Sequence, residues 1–135
     1  MRKMWIGLVL ALAAGATAIW VSTASAHGVA RTQHIAVTAG KPSEFRFHLS
    51  KKTVKLGKVV FEIVNKGTLT HDFKVCVKPA RGTLSTTCNG KGSRKLTPHQ
   101  KIALNVVFKH KGRFEYLCTV AGHAAAGMRG VLTVK

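Results

Sequence analysis

Beyond residue 26 the chain repeatedly alternates apolar and polar side chains. Phe45, Phe47 and Leu49 alternate with Arg46, His48 and Ser50. Val59, Phe61 and Ile63 share a second face, Phe73, Val75 and Val77 a third, and Ile102, Leu104, Val106 and Phe108 a fourth. A period of two marks strands with one face toward a core. Ile35 to Val37 reads as an opening strand, Arg113 to Cys118 as a late one, and Val131 to Val134 as the last. Turn signals separate them at Ala39-Gly40-Lys41-Pro42, Asn65-Lys66-Gly67 and Lys111-Gly112. Residues 78–97 are polar and carry Pro79, Gly82, Gly90 and Gly92, which predicts a long surface excursion. No helical period competes with this pattern. About seven to eight short strands predict an all-β, antiparallel sandwich, for which Greek-key connections are the usual solution.

The first 26 residues break the pattern. Arg2 and Lys3 precede an uncharged run from Trp5 to Val21, and Ala24-Ser25-Ala26 forms a small-x-small site. This is the arrangement of a cleavable secretory signal. The competing reading, an uncleaved membrane anchor, is weakened by Gly7, Gly15 and Thr17 within the run. The expected organisation is a signal over 1–26 and one domain over 27–135, exported to the periplasm or beyond.

Charge narrows the partners. Removing Arg2 and Lys3 from 22 basic residues leaves 20 against the four acids Glu44, Glu62, Asp72 and Glu115, a formal +16. Such a surface attracts acidic protein faces or an anionic membrane surface. Nucleic acid is disfavoured, because the basic residues are scattered singly without interleaved aromatics. No feature calls for more than a monomer.

Residues 118–128 read CTVAGHAAAGM. Cys118, His123 and Met128 are evenly spaced, and Gly122 and Gly127 stand just before the second and third. Neither a straight strand nor a straight helix brings all three to one ion, whereas a curled loop does. Thiolate, imidazole and thioether together suit copper better than magnesium, calcium or manganese. A blue-copper centre needs one more imidazole from elsewhere. His71, in TLTHDFKV at the start of a strand, is the candidate; His34, His48, His99 and His110 fit less well.

These residues resemble the cupredoxins. NKGTLTHDFKV (65–75) and GRFEYLCTVAGHAAAGMRGVLTV (112–134) carry the likeness, and FRFHLSKKTVKLGKVVFEIVNKG (45–67) is similar to the usual approach to the first ligand. The Cys-x4-His-x4-Met loop is most similar to that of auracyanin- and sulfocyanin-type members. The resemblance implies a Greek-key sandwich, one copper ion on His71, Cys118, His123 and axial Met128, and one-electron transfer between redox partners rather than enzymatic activity. It also implies an electron exit at His123, within a patch that includes Leu69, Ala121, Ala124 and Ala125. Asp72 stands where many members have Asn, in a position that ties the ligand loops together.

With Cys118 assigned to copper, Cys76 and Cys88 are left as a disulfide, two free thiols or a second metal site. Export favours the disulfide. Two other functions compete with electron transfer. A copper-handling carrier would need more methionine than Met128 alone supplies outside the signal. A copper oxygenase built on N-terminal His27, with His34, His48 or His99, would leave the Cys-His-Met loop unexplained.

Overall fold

The computed structural model describes residues 31–135, so the signal segment and His27 lie outside the described residues. Nine strands follow in chain order: β1 Gln33–Ala39, β2 Phe47–Leu49, β3 Thr53–Val54, β4 Gly57–Asn65, β5 Lys74–Pro79, β6 Gly90–Gly92, β7 Lys101–Phe108, β8 Gly112–Leu117 and β9 Arg129–Val134. They form two sheets, ordered β2-β1-β4-β7 and β3-β9-β8-β5-β6. The chain leaves the first sheet after β2, lays β3 on the edge of the second, and returns with β4. None of the described residues forms a helix long and apolar enough to cross a membrane.

Alternation decides which side chains meet between the sheets. Val59, Phe61 and Ile63 of β4 and Leu104, Val106 and Phe108 of β7 point inward against Phe114 and Leu132 of the second sheet. Burying each such side chain is worth roughly 1.5–3 kcal/mol. Phe73 is fully buried and stacks at 5.1–5.3 Å on Phe47, Phe61 and Tyr116. It anchors the chain two residues beyond His71.

Four expectations change. The sandwich is mixed rather than wholly antiparallel, since β1 pairs parallel with β4 and β3 parallel with β9. Phe45 lies before β2, not within it. Val77 is 61% exposed, because the β5–β8 pairing shifts register between Val75 and Pro79 and turns the alternation over. The 78–97 excursion is not wholly superficial: it contains β6, and Leu96 is fully buried, bridged to His71.

Candidate metal centre

At one end of the sandwich the chain brings together residues from three separate segments. Asn65, fully buried at the end of β4, organises the first. Its Nδ2 donates to the carbonyls of Leu69 (2.7 Å) and Leu96 (2.8 Å), and its Oδ1 accepts from the Gly67 amide (2.9 Å). The side chain thus satisfies backbone groups that the 66–70 turn would otherwise leave unpaired. His71 follows, with its backbone exchanging hydrogen bonds with Leu96 at 3.0 and 2.7 Å. The imidazole is held on a fully bonded backbone and is itself completely buried.

The 118–128 loop is closed at its base by Cys118 N–H donating to Met128 O (3.0 Å). Within it, His123 N–H bonds Val120 O, Ala126 N–H bonds Gly122 O, and Met128 N–H bonds His123 O, at 2.9–3.0 Å. These contacts wind the segment into tight turns. Gly122 (φ 80°) and Gly127 (φ 106°) adopt left-handed conformations that disfavour a side chain.

The two segments converge. His71 Nδ1 lies 3.2 Å from His123 Nδ1, and Cys118 Sγ lies 3.6 Å from the same atom. One donor atom from each of His71, Cys118 and His123 falls within 4.8 Å of the others, and all three residues are buried. Met128 is fully buried in the same apolar cluster as Cys118. His34 instead bonds Glu62, and His48, His99 and His110 are exposed.

Solved structures share this architecture. Auracyanin B aligns at 21% identity over 76% of this chain and 88% of its own, with a TM-score of 0.60. Auracyanin A of Chloroflexus aurantiacus, described as a "blue" copper protein, aligns at 17% identity over 78% and 100%, with a TM-score of 0.57. Rusticyanin from Thiobacillus ferrooxidans aligns at 24% identity over 77% of each chain, with a TM-score of 0.55. The domain has a cupredoxin-like fold. No protein-family model and no curated protein matches the sequence.

Burial sets the protonation of the metal-free donors. Burial pushes the Cys118 thiol up to about 11, and the neighbouring Asp72 carboxylate adds to the rise. Burial, followed by the proximity of His71, lowers the pKa of His123. At neutral pH the metal-free site therefore holds a thiol and a neutral His123 imidazole, and a cation would have to displace the thiol proton. Asp72 accepts from the Thr119 amide at 2.5 Å and from the Thr119 hydroxyl. It thereby links the segment that leads from His71 into β5 to the residue after Cys118.

Cys76 and Cys88 form a disulfide, and Cys118 is the free cysteine among the described residues. Cys76 packs with Leu117 and Ala124, so the bridge borders the ligand loop. This corrects one expectation: Ala124 is 4% exposed and leaves the proposed surface patch, because it covers the disulfide. Leu69 (43% exposed), Ala121 and Ala125 remain at the surface, and His123 is 8% exposed.

Two contributors escape sequence reasoning. Glu44 reaches His71 Nε2 at 2.7 Å, and the half-buried Phe45 stands edge-on to His123 at 5.1 Å. The available signal was scarcity: Glu44 is one of four acids in a strongly basic chain.

Proposed function

We propose that His71, Cys118 and His123 would hold a single copper ion, with Met128 as a weaker further ligand, and that the domain is an exported one-electron carrier. The carrying observation is the convergence of two imidazoles and a free thiol in a buried site, with a thioether packed beside the thiol. Calcium takes oxygen ligands and is not matched; the thiol and imidazoles would also suit zinc, and the thioether packed beside them is what favours copper. When bound, copper would supply a Cu(I)/Cu(II) couple.

The chain's own residues do the rest. Asn65 and the Leu96 bridge hold the backbone at His71, and the wound 118–128 loop holds the other donors. A packed scaffold of this kind limits how far the ligands can relax between oxidation states, which keeps electron exchange fast. Burial excludes water from the site. His123, with Phe45 edge-on to it and the exposed Leu69, Ala121 and Ala125 close in sequence to the two histidines, offers the route to the surface. The basic shell would steer an acidic face of a redox partner toward it. Residues 1–26 are read as the export signal, leaving 27–135 as the working domain.

Adding Cu(II) to the purified protein tests this. An intense thiolate-to-copper visible band is expected, and it should vanish in Cys118→Ser. A pale, tetragonal copper spectrum would overturn the reading. Slow release of the metal to a chelator is also expected, as distinct from the ready exchange of a copper-handling carrier.

A further inference from the structure

The corner between β1 and β2 sends three consecutive side chains into the metal end. Glu44 meets His71 Nε2 at 2.7 Å, Phe45 stands against the His123 ring, and Arg46 donates to Gly127 O at 2.8 Å. The corner is itself closed by Gly40 N–H to Arg46 O (3.0 Å) and Arg46 N–H to Ser43 O (3.2 Å). Glu44 also accepts from the amides of Thr68 (3.0 Å) and Leu69 (2.9 Å) and from the Thr68 hydroxyl (2.9 Å). One carboxylate therefore gathers both the turn before His71 and the His71 ring.

Close packing makes room for this. A Cβ on Gly67 would lie 2.3 Å from Glu44 Oε1 and 2.9 Å from His71 Nε2. A Cβ on Gly40 would lie 2.4 Å from the Gly67 Cα. Both glycines are where the corner and the turn approach backbone to backbone.

An ionised carboxylate only accepts, so the ring nitrogen facing it must carry hydrogen. In a neutral imidazole the other nitrogen then has a free lone pair. For His71 that other nitrogen is Nδ1, the atom 3.2 Å from His123 Nδ1. We infer that Glu44 is a positioning residue: it holds His71 as the Nε2–H tautomer, in the orientation that presents Nδ1 to the centre of the donor cluster. Its consequence for copper rests on the function proposed above. A carboxylate behind a ligating imidazole makes the ring a stronger donor, and losing such a partner commonly costs about 10- to 100-fold in metal affinity.

Three preparations decide it: the parent, Glu44→Gln and Glu44→Ala. Nitrogen-15 spectra of the metal-free proteins should show His71 as the Nε2–H tautomer in the parent and as a mixture in Glu44→Ala. Glu44→Gln keeps an acceptor oxygen and is expected to fall between. After copper loading, Glu44→Ala should release copper to a chelator about 10- to 100-fold faster than the parent, with a raised midpoint potential. A parent His71 in the Nδ1–H form, or a folded Glu44→Ala with unchanged tautomer and copper release within twofold, would overturn the inference. A parent without a thiolate band would strike the copper reading instead, since the tautomer is read without metal.

Discussion

Asp72 follows His71 in sequence, yet its carboxylate turns to Thr119, across from it on the neighbouring loop. An Asn there could still make both bonds, accepting from the Thr119 amide and donating to the Thr119 hydroxyl oxygen, which serves as either partner. The larger difference is charge. A carboxylate beside the donor cluster should favour the more positive, oxidised copper. At an effective dielectric near 20, one charge several ångströms away is worth roughly 1.4–3 kcal/mol, or roughly 60–130 mV for a one-electron couple. Asp72→Asn is therefore expected to raise the midpoint potential by up to that amount, measured by redox titration of the copper band. An unchanged potential would mean that the Asp72 charge does not reach the metal. Glu44 bonds the His71 ring and the turn before it, whereas Asp72 bonds Thr119, so the two substitutions remove different contacts.

Among the elements, the 78–92 excursion has the most consequence. Its disulfide partner Cys76 sits on β5, where the register shift exposes Val77, and packs under Ala124 of the ligand loop. Further ties run from Ser85 N–H to Glu115 (2.9 Å) and from Arg129 to Leu84 O (2.6 Å). A polar segment with little apolar surface of its own is thus fastened beneath the metal end. The paired variant Cys76→Ala/Cys88→Ala should lose about 3 kcal/mol of unfolding free energy in the chain-entropy view. It should also show faster amide exchange at Ala124 to Gly127. Denaturant titration and hydrogen exchange check these two effects separately. Exchange unchanged in the loop would show that the bridge stabilises the fold without supporting the site.

On the scale of the whole molecule, the notable feature is where the few acids go. Asp72 and Glu115 are buried in hydrogen bonds to amides, and Glu44 is bonded to His71, Thr68 and Leu69. Glu62 is 59% exposed and meets His34. The charged groups that meet solvent are therefore almost all cationic, which supports the proposed acidic docking face of a partner. The same internal bonding predicts how stability varies with pH. Backbone hydrogen bonds from Thr68 and Leu69 lower the Glu44 pKa from 4.5 to about 2. Its contribution is complete above pH 4.5 and disappears as pH falls toward 2. Cys118 has the opposite sign: its folded value of about 11 exceeds the ordinary 9.0, so metal-free stability declines as pH rises from 9 toward 11. Denaturant midpoints of the metal-free protein should fall at both extremes. Glu44→Gln should flatten the acid limb, and Cys118→Ser the alkaline one. An acid limb unaltered by Glu44→Gln would refute the assignment of that limb.

The sequence by itself determined most of the strands, the curled loop and its donor types. Alternation of period two reports which face is buried, and Cys118, His123 and Met128 are near enough in sequence for their spacing to be read. His71 was legible because the chemistry of the loop asked for one more imidazole. Tertiary structure decided what lay outside those local signals. The register shift after Val75 put Val77 in solvent, and the disulfide drew Ala124 inward. The sandwich carried Glu44 to a residue 27 positions away and Phe45 to His123. A carboxylate in a turn looks the same in sequence whether it faces water or an imidazole. Only the packing of the β1–β2 corner over Gly67, with no side chain between them, distinguishes the two.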